Sequence, residues 1–196
     1  MMPDFEDDFE PFGIMKIPMA LTWGGPREGS GVQTQLLYGE PLFLLRRDDS
    51  GDYYLVMGID GYVGWVRRDA VGYLNRDAFT ELLNGDSARV VRNTMKDDFR
   101  IPPGSRVLVD QVNGDTTTVR LADGSEWEMP TENLLLSPAT RHGEVAARTA
   151  LDEFLYTPYV FGGRSNQGLD CSGLVGVAWA AAGVQLPRKP HPQAQS

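Results

Sequence analysis

The sequence predicts an α+β fold in which two small β-barrels stand in tandem before a helical C-terminal segment. Three observations lead to this prediction. Short β-rich runs separated by glycine-containing turns fill residues 14–74, and a second series of the same character fills residues 89–137. After Pro138, helical spacing replaces strand alternation. Several short strands at such spacing are typical of small barrels and sandwiches.

Composition limits the function classes before any motif is considered. The 196 residues contain 18 Lys and Arg against 27 Asp and Glu, which gives a net charge of −9. This balance argues against a general binder of nucleic acid or of an anionic membrane, because both require positive potential. One cysteine excludes an internal disulfide, and two histidines leave little material for a metal site, so no cofactor is expected.

The first ten residues carry five acidic side chains and no basic one. A secretory signal has the reverse pattern, a basic patch followed by an apolar run. The longest uncharged apolar stretch, residues 174–184, is too short to span a bilayer. We therefore expect residues 1–13 to be an acidic disordered lead. We also expect the chain to be cytoplasmic unless an unseen route exports it.

The first predicted barrel, residues 14–74, and the connector that follows it are read from apolar runs and turns. The strand runs are residues 36–38, 42–45, 53–57 and 62–66. Asp60-Gly61 suits a hairpin turn because glycine tolerates positive φ. Residues 75–88 form the connector, with a short helix over 77–85 that Asn84-Gly85 closes.

The second predicted barrel, residues 89–137, has strand runs at residues 89–92, 106–109, 116–121 and 126–129. Residues 139–196 follow as a separate segment. A helix over 144–155 stops before Thr157-Pro158, and a second helix over 172–182 ends at Gly183. A glycine-rich loop lies between them, and residues 188–196 are predicted to be a frayed tail.

Cys171 stands where the glycine-rich loop meets the second predicted helix. The thiolate is the nucleophilic form of cysteine, and the free N–H groups and dipole at a helix N-terminus stabilise negative charge. Residues 169–174 therefore predict a reactive thiol with a flexible approach before it. The residues alone leave a second interpretation open, since free cysteines are commonly buried and inert.

Three blocks of the sequence carry a resemblance to a known family. They read Thr-Pro-Tyr-Val-Phe-Gly-Gly over 157–163, Gly-Leu-Asp-Cys-Ser-Gly-Leu-Val over 168–175 and Gly-Val-Gln-Leu-Pro-Arg over 183–188. In order and spacing they resemble the NlpC-type, papain-like cell-wall cysteine endopeptidases. Residues 34–40 and 60–66 are similar to the bacterial SH3-like barrel that precedes such domains. The resemblance implies two SH3-like barrels followed by the N-terminal helical half of an NlpC-type domain.

The resemblance implies hydrolysis of the γ-D-glutamyl–diamino-acid bond in peptidoglycan stem peptides. Cys171 would attack the carbonyl carbon, and Tyr159 would help to hold the oxyanion that develops. The other site residues would bind the stem peptide through its free L-alanine amine; they are Asp170, Ser172, Glu40 and Tyr62. Read without the resemblance, Glu40 is equally a solvated turn carboxylate, and the alternative for Tyr62 is a core residue of the barrel.

The resemblance also implies a part that these 196 residues lack. Family members continue beyond the Leu-Pro-Arg block into a sheet that bears the catalytic histidine, and neither His142 nor His191 is a convincing substitute as base. We therefore expect a C-terminally truncated peptidase domain that is inactive as written. Two alternatives remain open: a non-catalytic module that binds cell-wall peptide, and one half of a split enzyme that a partner chain completes.

Overall fold

The protein is represented by a computed structural model that describes residues 11–136 and 143–193. Most of the predicted acidic lead therefore lies outside the described residues. Antiparallel strands that pair in the order β3-β2-β6-β5-β4-β1-β7 form the first sheet. They are β1 (Phe12–Met15), β2 (Met19–Trp23), β3 (Val32–Leu37), β4 (Pro41–Arg47), β5 (Tyr53–Gly58), β6 (Val63–Arg67) and β7 (Val71–Leu74).

The four predicted runs of this region correspond to β3, β4, β5 and β6. The strands β1, β2 and β7 are not among the predicted runs, because four or five residues without clear alternation become strands only through their pairing partners. Strand pairing leaves β3 and β7 at the edges. Within the described residues it therefore does not close this sheet into a barrel.

Helix α1 (Arg76–Asn84) follows the first sheet directly. It begins where the Asn75 side chain accepts a hydrogen bond from the Ala78 amide at 2.9 Å, which satisfies one free N–H of the first turn. Phe79 is buried and stacks on Phe12 of β1, with ring centroids 4.5 Å apart. The predicted connector helix is thus present and packs against the first sheet.

The second sheet pairs its strands in the order β13-β12-β11-β8-β14, and β9 and β10 form a separate hairpin. The pairing does not close this sheet within residues 87–136 either. Two tandem closed barrels are therefore not confirmed, whereas a mixed fold dominated by β-sheet is. The strands are β8 (Ser87–Val90), β9 (Thr94–Lys96), β10 (Phe99–Ile101), β11 (Arg106–Asn113), β12 (Thr116–Arg120), β13 (Glu126–Pro130) and β14 (Leu134–Leu136).

Short elements make up the C-terminal segment. They are α2 (Gly143–Asp152), β15 (Arg164–Ser165), β16 (Gly168–Leu169), α3 (Cys171–Ala181) and α4 (Pro190–Gln193). The first predicted helix ends three residues beyond the end of α2, whereas Gly183, at φ +82°, follows α3 as expected. The predicted frayed tail is wrong for residues 188–193, because Arg188 is buried and α4 follows it.

Buried clusters attach the C-terminal segment to both sheets. Leu37 of β3 packs with Phe154, Leu169 and Val177. Residues of α2 and α3 pack around Val91, just after β8. No helix among the described residues is long and apolar enough to cross a membrane. The C-terminal segment thus sits against both sheets, and this position brings its loops to the end of β3.

Candidate active site

Cys171 is the first residue of α3, and its side chain is exposed. Asp170 caps this helix: its Oδ1 accepts the Gly173 amide at 2.6 Å and its Oδ2 accepts the Gly162 amide at 2.8 Å. The capping carboxylate therefore connects the first turn of α3 to the glycine-rich loop before it. The sequence prediction of a thiol at a helix N-terminus is confirmed, and an inert buried cysteine is not what the structure contains.

Position 173 requires glycine for a steric reason. A Cβ atom there would lie 1.9 Å from the carbonyl oxygen of Gly163, far inside van der Waals contact. The glycine-rich loop and the first turn of α3 therefore approach each other more closely than a side chain allows. This packing holds the backbone on both sides of Cys171.

Arg188 reaches the same helix start from the far end of the C-terminal segment. Its Nη2 donates to Asp170 Oδ2 at 2.7 Å, and its Nη1 donates to Asp170 Oδ1 at 3.1 Å and to Ser172 Oγ at 2.6 Å. Burial acts to raise the pKa of the Asp170 carboxyl, but Arg188 and the two capping amides outweigh it, so that pKa lies below its ordinary value. The side chains of Asp170 and Ser172 are thus both fixed by hydrogen bonds from Arg188.

Arg188 also contacts the first sheet. Its Nε donates to Thr34 Oγ1 at 2.7 Å, and Thr34 is a buried residue of the edge strand β3. The neighbouring residue Gln35 takes part as well: its amide donates to the Gly162 carbonyl at 3.0 Å. The edge of the first sheet therefore supports the loop that leads to Cys171.

Glu40 lies at the other end of this contact, in a buried ion pair with Arg164. The two Nη···Oε distances are 2.6 and 3.0 Å, and Glu40 Oε2 also accepts the Leu37 amide at 2.9 Å. The Arg164 amide and guanidinium both bond to Gln35, at 2.7 and 2.9 Å. Glu40 is therefore not a solvated turn carboxylate, because it joins the first sheet to the glycine-rich loop.

Further charged groups surround this ion pair. Burial raises the pKa of the Asp60 carboxyl, while Arg164 acts in the opposite direction. Burial lowers the pKa of Arg89, and the neighbouring guanidinium of Arg106 lowers it further. The negative charge of Glu40 interacts favourably with Arg89, Arg106 and Arg164, and so offsets part of the repulsion among these guanidinium groups.

Tyr159 and Tyr62 line the surface near these groups. Tyr159 is 71% exposed, and its loop is attached to β16 by hydrogen bonds on either side of it. The Tyr62 hydroxyl donates to Gln33 Oε1 at 3.3 Å, and the Lys189 ammonium lies 5.7 Å from the centre of its ring. Tyr62 is half-buried, so it is neither a pure core residue nor a free surface side chain.

The residues that sequence reasoning missed are the two arginines. The sequence predicts Arg164 within the glycine-rich loop and Arg188 at the start of a frayed tail, yet both are among the most buried charged residues described. The available signal was that Arg188 closes the third sequence block and that Arg164 directly follows the first. His191 lies exposed on α4, and His142 lies outside the described residues. Within residues 11–136 and 143–193, no cluster of His, Cys, Asp and Glu side chains is arranged to hold a metal.

Comparisons with known proteins match both parts of the chain. Residues 24–71 match the family model of the bacterial dipeptidyl-peptidase SH3 domain, and residues 156–196 match that of the NlpC/P60 family. The chain is 29% identical over 193 residues to dipeptidyl-peptidase 6 of Lysinibacillus sphaericus. That alignment covers 87% of this chain and 69% of the relative.

Solved structures give the same result at the level of the fold. An NlpC/P60 family protein from Bacillus cereus ATCC 10987 superposes with a TM-score of 0.75 at 17% identity, covering 94% of this chain and 77% of that one. An NlpC/P60 endopeptidase from Photobacterium damselae subsp. piscicida superposes with a TM-score of 0.71 at 19% identity, covering 98% and 47%. The thiol at the capped helix start lies within the matched C-terminal block. Residues 156–196 are therefore similar to the NlpC/P60 family and residues 24–71 to a bacterial SH3 domain, and the chain shares the fold of solved NlpC/P60 proteins.

Proposed function

We propose that this protein acts on the γ-D-glutamyl–diamino-acid bond of peptidoglycan stem peptides, with Cys171 as the nucleophile. One observation supports this most: an exposed thiol at the start of α3, a helix whose Asp170 cap is held by a buried arginine. The match of residues 156–196 to the NlpC/P60 family supports the reaction class. We also infer that both β segments are SH3-like domains, although strand pairing closes neither sheet among the described residues, and the match of residues 24–71 supports this for the first.

In the proposed reaction the Cys171 sulfur bonds to the γ-carbonyl carbon of the glutamyl residue. The carbon–nitrogen bond to the diamino acid then breaks, and the leaving amine takes up the proton that the thiol gave up. The proposed site residues do not include the base that carries this proton. Water hydrolyses the resulting thioester and restores the thiol. Tyr159, exposed on the neighbouring loop, is the proposed donor to the oxyanion.

Glu40 and Asp170 are proposed to meet the free L-alanine ammonium of the peptide, together with Ser172 and Tyr62. Each carboxylate is already paired with an arginine, Glu40 with Arg164 and Asp170 with Arg188. The ammonium would therefore compete with that arginine for the carboxylate. This competition weakens the attraction for the ligand because part of the carboxylate charge is already neutralised. We therefore expect a measurable but modest preference for a free amine over an acetylated one.

A covalent probe tests the proposal without depending on turnover. The probe is L-alanyl-γ-D-glutamate with a chloromethyl ketone in place of the scissile amide, and its matched control carries the ketone on the α-carboxyl. We expect the γ-linked probe to label Cys171 at least about tenfold faster, a difference of about 1.4 kcal/mol. We expect the stem tripeptide to compete with this labelling and Cys171→Ser to abolish it.

Several results would contradict this function. Equal labelling by the γ-linked and α-linked probes would show that Cys171 is reactive but does not select this bond. Binding of the tripeptide in a calorimetric titration without any labelling by the probe would favour a non-catalytic peptide-binding module. An N-acetylated γ-linked probe that labels as fast as the free amine would refute the proposed role of Glu40 and Asp170.

A further inference from the structure

Two distant parts of the chain meet at one buried side chain behind Cys171. We propose that Arg188 is a positioning residue for the nucleophile, and that it acts jointly with Thr34 of the SH3-like domain. This inference rests on the proposed role of Cys171, but it concerns how that thiol is held rather than which peptide it attacks.

The contacts account for nearly the whole guanidinium of Arg188. Nη1 and Nη2 form a bidentate pair with Asp170, Nη1 also reaches Ser172 Oγ, and Nε reaches Thr34 Oγ1, all between 2.6 and 3.1 Å. Arginine is suited to this because its planar fork of five N–H donors can bind a carboxylate with two parallel bonds and still reach other acceptors. A lysine at position 188 could satisfy only part of this set.

The contacts act on both residues that flank Cys171 in the chain. Ser172 Oγ donates to Asp170 Oδ1 at 3.1 Å while it accepts from Arg188. Asp170 in turn caps the first turn of α3 through Gly173. Arg188 therefore fixes the side chains before and after the thiol, and through them the backbone that aims it.

The charge of Arg188 matters as much as its geometry. Asp170 is buried next to Cys171, and an unpaired carboxylate in that place would disfavour a second negative charge on the sulfur. The guanidinium neutralises the carboxylate and leaves the free N–H groups of the helix start to stabilise the thiolate. Loss of Arg188 should therefore slow the reactions of the thiolate.

Thr34 extends this arrangement into the first sheet. It is a buried residue of the edge strand β3, and its backbone is held by Thr22 of β2 through hydrogen bonds of 3.1 Å in both directions. A rigid strand thus provides the acceptor that sets the position of the Arg188 Nε. The SH3-like domain consequently takes part in organising the nucleophile, beyond any contact it makes with the peptide.

Alkylation by iodoacetamide measures this directly, since Cys171 is the single cysteine of the chain. At pH 7 we expect Arg188→Gln to react about tenfold more slowly than the wild type, which corresponds to about 1.4 kcal/mol. We expect Arg188→Lys to recover part of the rate because it restores the charge without the bidentate pair. Thr34→Val keeps the charge and loses one bond, so we expect it to be about threefold slower.

Matched controls separate positioning from general loss of structure. Arg148→Gln removes an exposed arginine, and Thr117→Val removes a buried threonine hydroxyl in the second sheet. Both should alkylate at the wild-type rate. Thermal unfolding of each full-length variant shows whether it is folded at the assay temperature.

Folded Arg188→Gln that alkylates at the wild-type rate would overturn the proposal. If Arg188→Gln does not fold, Thr34→Val decides, and a wild-type rate in that variant overturns the proposal equally. The variants could show the expected alkylation rates while the γ-linked and α-linked probes label equally. That result would support the positioning role of Arg188 and refute the proposed substrate. The two proposals therefore fail in distinguishable ways.

Discussion

The ion pair between Glu40 and Arg164 gives a quantitative test of how the first sheet and the C-terminal segment are joined. We consider Glu40→Gln, which keeps the volume and one acceptor oxygen but removes the negative charge. In the wild type, the exposed fractions of the Glu40 and Arg164 side chains are 8% and 4%, and their closest atoms are 2.6 Å apart. The substitution leaves the buried Arg164 guanidinium without its hydrogen-bonded ion-pair partner, near the guanidinium of Arg89 and with only the more weakly interacting Asp60 and Asp170 carboxyls around it.

The expected magnitude follows from this burial. Removal of one partner from a buried ion pair typically costs about 3–5 kcal/mol, because the remaining charge is left uncompensated. We expect the Gln35 carbonyl, which accepts from Arg164 at 2.9 Å, to keep the loss from exceeding that range. Since domains are stable by only about 5–15 kcal/mol, Glu40→Gln should remove a large fraction of the free energy of unfolding.

Urea denaturation followed by tryptophan fluorescence measures this loss, with four tryptophans as reporters. Glu144→Gln is the control, because it breaks the exposed pair with Arg148 and should cost less than about 0.5 kcal/mol. The double variant Glu40→Gln/Arg164→Met should recover most of the stability, since no unpaired charge remains. A loss below about 1 kcal/mol for Glu40→Gln, or no recovery in the double variant, would refute the reasoning.

Three further predictions concern stability. Gly39→Ala should cost at least about 3 kcal/mol, because its Cβ would lie 1.8 Å from a main-chain oxygen of the second sheet. Gly61→Ala, which has a similar φ of +75° and open space, should cost about 1 kcal/mol, and equal losses in urea denaturation would contradict this account. Asn75→Ala removes the cap of α1 and should cost about 1 kcal/mol, measured as a lower thermal midpoint; an unchanged midpoint would argue against the cap. Burial raises the pKa of Asp60, so the stability due to its proton is fully present below the ordinary pKa and is lost as pH rises through the raised value. The stability of Asp60→Asn relative to the wild type should therefore increase from about pH 4 to about pH 7, and a decrease would show that the arginines outweigh burial.

Local patterns predicted much of the fold. Apolar runs and Asp-Gly or Asn-Gly turns indicated most strands longer than four residues, since alternation and turn chemistry depend on neighbouring residues. Closure into barrels did not follow, because it depends on which edge strands meet. The domain bounds read from the sequence stay a prediction.

The sequence by itself determined that Cys171 stands where a loop meets a helix, because the signals that start and stop a helix lie in nearby residues. The Asp170 cap became visible only in the structure. The sequence also places a glycine at position 173, but only the structure shows that a Cβ atom there would meet the Gly163 carbonyl oxygen. Only the tertiary structure decided which side chains hold this helix start. Arg188 lies 154 residues from Thr34, and Arg164 lies 124 residues from Glu40. No local pattern encodes partners at such separations. The ion pairs of Glu40 with Arg164 and of Asp170 with Arg188 therefore become visible only when the edge strand of the first sheet packs against the glycine-rich loop.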